Sequence, residues 1–521
     1  MEVLSYFPPP TKEVPPFLCQ PTLKKAEKGK RFAERGNCFS LTASCLKRTI
    51  TRIMAATRPI QVEELTKTDA YRLIVFNQAG TAVLLKSGPS GSDLPLVEIP
   101  KFTRPAKEIT TLLHDRLHVH SVLLFSGLLE QNPVTVYFAA LEAQVRTCPS
   151  PEGMNWFPVH HAISHLVKDN KQRVLKSSYL KFTNRTVEED LEPFCRLAWL
   201  SHLQEWVTTV IRPLGIELKD FEQLNGSESF SLLRFETTQH PVWFKAVGKP
   251  NLHEFPITVA LAELFPEYLP PLLATRPACH GWLMGDAGGP PLNEMEDSPA
   301  WETTAAALAG LQIGSIGVID DLLDAGCRDL RVRTLLGLVD PFFKVIADLM
   351  EQQTKVSPRI LSRHELSDLG ETLKNALRCL QSVGIPDTLG HTDFNPGNIL
   401  VGSQRCVFID WAEAHVSHPF LTFEYLISHL RKDYSTLTRF EDAIRSSYAQ
   451  RWQSVSLPEH VSEAFLFSPL VAVFAYAVAG NSWRDPERLK IPQVPGYLRS
   501  LTRRMKQEAD SVPRRRVECI N

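Results

Sequence analysis

The 521-residue chain has no surplus of either charge: 57 Lys and Arg stand against 58 Asp and Glu, a formal net charge of -1. That balance excludes the strong basic excess that draws proteins to polyanions, so neither a nucleic-acid nor a membrane partner is expected. None of the ten cysteines forms a C-x-x-C pair, and their scatter from Cys19 to Cys519 excludes a clustered zinc site or a compact disulfide framework. A reducing, cytoplasmic setting fits that usage. Long apolar runs are scarce too. The one candidate, Phe465 to Ala479, is interrupted by Ser468-Pro469 in the pattern of an N-cap and first helical position. About ten apolar residues remain where a spanning helix needs ~20, so a buried helix beginning there is expected.

What the chain does contain divides it along its length. Residues 1–57 read as a disordered tail, with Pro8, Pro9, Pro10, Pro15 and Pro16 followed by a basic stretch from Lys24 to Arg52. Its second half has a faint transit-peptide composition, but Glu2, Glu13, Glu27 and Glu34 precede it; alternatively Met54 is the true start. Residues 58–167 read as a small α+β domain: a hairpin around Gln78-Ala79-Gly80, a helix over Ala106 to Leu117, then two strand-like runs. The polar run Lys168 to Arg173 opens a linker, 168–190. A leading helix, Leu191 to Ile211, and a hairpin whose second strand carries Lys245 begin a β-rich unit, 191–285. Residues 286–510 are mostly helical, and 511–521 form a basic tail around Arg514-Arg515-Arg516. No internal repeat is apparent.

The chemistry concentrates between Leu389 and Ala414. Ile399-Leu400-Val401 and Val407-Phe408-Ile409 are strand-like runs around a short loop, so they should pair as an antiparallel hairpin. Counting outward from a Gly402 to Cys406 loop, Val401 faces Val407, Ile399 faces Ile409 and Asn398 faces Asp410; a loop one residue shorter shifts the register by one. Either way an amide oxygen and a carboxylate meet at the open end, a donor set that suits Mg²⁺ when phosphates and water complete its shell. Asp393, five residues before Asn398 in a Pro-Gly loop, is placed to take a proton from an attacking hydroxyl. The bland alternative is that each of these residues only stabilises a turn.

His391-Thr392-Asp393 with Asn398, followed by Ile409-Asp410-Trp411, resembles the H-x-D-x-x-x-x-N and I-D-[WF] signatures of the aminoglycoside phosphotransferase and choline kinase-like family. Over residues about 190–510 the resemblance implies an α+β, bilobal protein-kinase-like fold: a small β-rich N-lobe and a mostly helical C-lobe, here preceded by a small α+β domain. It implies ATP and Mg²⁺, with Asp393 as catalytic base, Asn398 and Asp410 as metal ligands and His391 as organiser of the loop. The N-lobe matches in order. Lys245, in Val242-Trp243-Phe244-Lys245, corresponds to the strand lysine that grips the phosphates, and Glu254 to its ion-pair partner, with Glu263 as the fallback. Leu283 and Met284, before Gly288-Gly289, match the strand and hinge that hold adenine, or else a core strand ending in a turn. The phosphate-covering loop around Gly226 and Ser227 has one glycine in place of G-x-G-x-x-G.

Other signals carry less. His114 and His118 have the i,i+4 spacing of metalloprotease ligands, but Asp115 stands where the general-base Glu would be and no third ligand is evident. His161 and His165 share the spacing and read as surface or core histidines. Residues about 60–167 faintly resemble a Nudix fold whose helix lacks the R-E-x-x-E-E cluster, so that activity is expected to be absent. The function expected is an ATP-dependent O-phosphotransferase, a small-molecule kinase acting on a hydroxyl. The alternative is a kinase-fold nucleotide-binding regulatory or interaction protein without productive transfer.

Overall fold

The computed structural model describes residues 68–518, apart from 89–90, 131–134, 145–152, 167–168, 184–190 and 404. The expected tail, residues 1–57, lies outside the described residues. The N-terminal module is a seven-stranded mixed sheet of β1 (Thr68–Asn77), β2 (Ala82–Gly88), β3 (Gly91–Asp93), β4 (Leu96–Pro100), β5 (Ser121–Glu130), β6 (Val136–Ala143) and β7 (Met154–Pro158). Its main path runs β3-β2-β1-β6-β5, with β1 and β6 parallel and the other pairs antiparallel. The β1–β2 hairpin turns at Gly80, whose φ of +66° suits glycine.

Helix α1 (Pro105–Leu117) buries Ala106, Ile109 and Leu113 against one face of this sheet, a 3–4 residue spacing that makes one helical stripe. The other face packs on α2 (Val159–His165), α3 (Asp169–Phe182) and α4 (Trp199–Ile211), which in turn pack on a second sheet. Most of the expected linker is therefore helix. Lys171, Leu175, Ser178 and Phe182 are buried at helical period, and the Lys171 ammonium is neutralised by Asp93. A lysine and a serine on the buried stripe disguised it as a polar connection. The leading helix also starts later than expected, at Trp199. Pro193 sits in a separate turn, and Ala198 takes a left-handed conformation with its N–H given to the buried carboxylate of Glu142.

The second sheet is antiparallel and five-stranded, in the order β11-β12-β10-β9-β8: β8 (Leu218–Gly226), β9 (Phe230–Thr237), β10 (Val242–Val247), β11 (Leu272–Arg276) and β12 (Gly281–Met284), with α5 (Glu254–Leu264) between β10 and β11. Alternate residues Leu233 and Phe235, Val242 and Phe244 fill the core it shares with the N-terminal module.

Beyond residue 291 the chain is mostly helical: α6 (Ser298–Ser315), α7 (Ile319–Asp324), α8 (Val332–Glu351), α9 (Arg363–Ser382), α10 (Phe420–Asp433), α11 (Glu441–Trp452), α12 (Pro458–Ala479), α13 (Pro486–Leu489) and α14 (Gln493–Glu518). One large core joins them to Ile257 and Leu261 of α5. Between α7 and α10 lie β13 (Arg328–Asp329), β14 (Thr388–His391), the hairpin β15 (Ile399–Val401) and β16 (Cys406–Phe408), and β17 (Ala414–Ser417).

Two expectations change here. The apolar helix begins at Pro458, not Pro469; Ser468 sits inside α12, and its hydroxyl donates to Glu424 at 3.3 Å rather than capping. The basic end is not a tail from 511, because α14 continues to Glu518. By length and composition Ser298–Asp324 and Pro458–Ala479 are apolar enough to cross a membrane, and 78% of the second window is buried inside the protein.

Candidate active site

The site forms where the five-stranded sheet meets the helical half. Lys245 lies on β10, and its neighbours in the ladder, Leu232 and Trp282, fix where its side chain leaves the sheet. Its ammonium pairs with Glu254, the first residue of α5, and lies 2.9 Å from Asp410 Oδ1. Glu263, the fallback partner, is exposed. Burial pulls the Lys245 pKa down, but Asp410 and Glu254 more than offset it and hold the ammonium above the ordinary lysine value. Burial pushes the Glu254 carboxyl up to about 7 against the pull of Lys245. Asp410 is held below the usual carboxylate range, chiefly by Lys245.

Asp410 has φ +66° and ψ +62°, a left-handed conformation that Asp tolerates better than most side chains but still at a cost of ~1 kcal/mol. The turn reverses the chain after β16 and aims the carboxylate at Lys245. Two histidines hold it in place. His391, 1% exposed, donates from Nε2 to the Ile409 carbonyl at 3.3 Å, and its ring lies 4.9 Å from that of Trp411. His253, next to Glu254, donates from Nε2 to the Ala412 carbonyl at 2.7 Å, so the helix bearing Glu254 is tied to the turn bearing Asp410.

The β15–β16 hairpin pairs Ile399 with Phe408, Leu400 with Val407 and Val401 with Cys406. This is one residue off the register counted from a Gly402 to Cys406 loop, because Cys406 belongs to the strand and Gly402 N–H closes onto the Arg405 carbonyl at 2.9 Å. Asn398 and Asp410 remain neighbours: Ile409 N–H donates to the Asn398 carbonyl at 3.0 Å. The exposed Asp393 carboxylate accepts from the Asn398 amide at 3.2 Å and from the Asn395 amide at 3.0 Å. With the Asn398 nitrogen turned to Asp393, its side-chain oxygen is left for a cation beside Asp410. An amide and a carboxylate fit Mg²⁺, which takes few protein ligands; among the described residues there is no cluster of three His, Cys, Asp or Glu side chains of the kind a transition metal needs.

Gly226 and Ser227 lie in the β8–β9 turn, where three amides are engaged locally. Gly226 N–H donates to Asn225 Oδ1, Ser227 N–H to the Phe230 carbonyl and Ser229 N–H to Ser227 Oγ. Leu283 is fully buried between its ladder partners Phe244 and Ala274, whereas Met284 ends β12 and is partly exposed. The chain then crosses to the helical half along β15, with Val401 N–H donating to the Pro290 carbonyl at 2.9 Å. Gly289 makes that approach possible: at φ +88°, a Cβ there would stand 2.4 Å from the Val401 oxygen.

Sequence reasoning missed Asn395 and His253. The first is visible only as part of Asn-Pro-Gly, an ordinary turn sequence, and the second has no local signature, since its partner lies 159 residues away.

Residues 294–459 match the model of a phosphotransferase enzyme family. No curated protein matches the chain. Among solved structures, it is similar to a macrolide 2'-phosphotransferase from Brachybacterium faecium, at 14% identity over 56% of this chain and 96% of that one, with a TM-score of 0.36. A choline kinase from Streptococcus pneumoniae gives 13% identity over 58% and 99%, TM-score 0.36. An aminoglycoside phosphotransferase-like protein from Ralstonia eutropha gives 14% over 60% and 98%, TM-score 0.38. Residues 294–459, which carry Asp393, Asn398 and Asp410, therefore resemble the phosphotransferase enzyme family in sequence as well as in motif.

Proposed function

We propose that the chain transfers the γ-phosphate of ATP to a hydroxyl of a small molecule. One observation supports this above the others: Lys245, 165 residues away in sequence, contacts Asp410, while Asp393 accepts from Asn398, whose carbonyl accepts from Ile409 beside Asp410. Lys245 is a fixed counter-charge for the nucleotide phosphates, kept protonated by Glu254 when Asp410 turns to its cation. Mg²⁺, when bound, supplies neutralisation of the phosphate charge, and Asn398 and Asp410 are the residues that would hold it. Asp393 accepts the acceptor's proton as its oxygen bonds to the γ-phosphorus; the bond to the β,γ-bridging oxygen breaks and ADP leaves. Asn395 and Asn398 hold the Asp393 carboxylate in one orientation, which lowers the entropy cost of that proton transfer.

The same proposal takes a small hydroxylated molecule as partner and a cytoplasmic setting, in keeping with the free thiols of Cys195, Cys279, Cys327 and Cys406. The test is ATP consumption with Mg²⁺ over amino alcohols, sugars, nucleosides and aminoglycosides, alongside Asp393→Ala. Phosphorylated acceptor that disappears in the variant is expected; equal turnover in the variant would overturn the assignment.

A further inference from the structure

The β1–β2 turn of the N-terminal module, the end of α3, the start of α4 and the end of β11 line an open cleft of about 610 Å³, the size of a small-molecule site. Lys245, Glu254, Asp393, Asn398 and Asp410 are not among its lining residues, so it is separate from the candidate active site.

The charge on its walls has one sign. Arg196 and Arg276 line the cleft, and among the described residues no carboxylate does. Neither guanidinium has an ion pair among the described residues. Arg196 gives Nε and Nη2 to the Leu191 carbonyl, at 3.2 and 2.8 Å, which fixes the group and leaves Nη1 open. Arg276 lies over the Trp206 ring, 5.5 Å from its centre, and gives Nη1 to the His202 carbonyl at 3.4 Å. Like charges on one surface repel, and a bound anion removes that cost.

Helix α4 adds to the same sign. Ala198 lines the cleft and opens the helix without a side-chain cap, so the first-turn amides carry the partial positive charge of an N-terminus. Glu142 accepts the Ala198 N–H, but it is fully buried, its other oxygen holds the Gln144 amide at 2.7 Å, and burial pushes its carboxyl up to about 7. The carboxylate nearest the helix start is thus partly neutral at pH 7. Tyr179, Phe182, Leu197 and Trp199 supply the rest of the wall with aromatic and apolar surface. A guanidinium fork binds carboxylate or phosphate, and two of them match the two charges of a phosphate monoester better than the single charge of a carboxylate.

We propose that this cleft binds a phosphate monoester with a flat apolar body, the phosphate held by Arg196 and Arg276 and the body by Phe182, Leu197 and Trp199. The site is independent of the phosphotransferase reading. Calorimetric titration of the full chain with phenyl phosphate tests it, without nucleotide or Mg²⁺ and at about pH 7.5, where the ester is mostly a dianion. Inorganic phosphate lacks the body and benzoate lacks the second charge, so each should bind at least about fivefold more weakly. Arg196→Ala and Arg276→Ala should each weaken phenyl phosphate binding about tenfold or more. Arg276→Lys, which keeps the charge and loses the fork, should lose less. If Arg196→Ala lowers the melting temperature through its lost bonds to Leu191, Arg276→Ala decides alone. No saturable binding below about 10 mM, binding that Arg276→Ala leaves unchanged, or either comparison anion bound as tightly overturns the proposal.

Discussion

Lys245 Nζ lies 2.9 Å from Asp410 Oδ1, a contact that spans 165 residues and joins the five-stranded sheet to the turn after β16. Glu254 closes on the same ammonium from α5. A lysine between two carboxylates of unequal exposure, Glu254 at 2% and Asp410 at 48%, has one permanent partner and one that is free to exchange it for another cation.

Asp393 and Asp410 should therefore fail in different ways. On the proposed roles Asp393→Ala removes the proton acceptor but no phosphate ligand, so kcat is expected to fall by about 100- to 10,000-fold with AMP-PNP affinity nearly intact. Asp410→Ala should instead weaken Mg²⁺-dependent AMP-PNP binding. Steady-state kinetics beside calorimetry separate the two, and matching profiles for both variants would contradict the division of roles.

Two histidines behind the site should make the fold acid-sensitive. Burial holds His415 and His418 down at about 3, and neither nitrogen of His418 has a partner among the described residues. For a base depressed in the folded state, the unfolded chain binds more protons below its own pKa. Stability is thus full above pH 6.5 and is lost as pH falls toward 3, at about 1.4 kcal/mol per pH unit for each histidine. Melting temperature measured from pH 7.5 down to 4.5 should fall, and His418→Phe should flatten the slope. An unchanged slope in that variant would remove His418 from the account.

Gly289 and Gly288 offer a matched pair at the crossing between the sheet and the helical half. Both have positive φ, +88° and +68°, but a Cβ at Gly288 meets nothing within 4 Å, whereas one at Gly289 meets the Val401 carbonyl at 2.4 Å. Gly288→Ala should cost only backbone strain, about 1–2 kcal/mol. Gly289→Ala should add about 1–3 kcal/mol of overpacking against backbone that cannot yield. The melting temperatures should fall in that order, and equal losses would mean that the close approach to β15 carries no weight.

The sequence made the strand lysine, its glutamate partner and the Asp393-Asn398-Asp410 constellation readable, because each lies in a short motif whose spacing the backbone geometry constrains. Of the two hairpin registers left open, the structure takes the one with the shorter loop, since the residues of a short loop do not say where pairing begins. Helix α3 was hidden by Lys171, whose burial depends on Asp93, 78 residues away. His253 stayed silent for the same reason: an ordinary polar residue acquires a role only from a partner that folding brings to it.

Gln223 is the clearest case of such a partner and gives a test of how the N-terminal module is held. It is 2% exposed on β8, an edge strand of its sheet, and faces β5, an edge strand of the other. Its side-chain oxygen accepts from Leu123 N–H at 2.7 Å and its nitrogen donates to the Leu123 carbonyl at 3.1 Å, so a side-chain amide pairs with a backbone unit as another strand would. Gln223→Leu keeps the volume roughly and orphans both groups, at about 1–3 kcal/mol for each. The loss should be local before it is global: amide exchange at Leu123 should accelerate well before exchange in the helical half. Unaltered protection of the Leu123 amide would show that the two sheet edges are held together by α1 and the shared core alone.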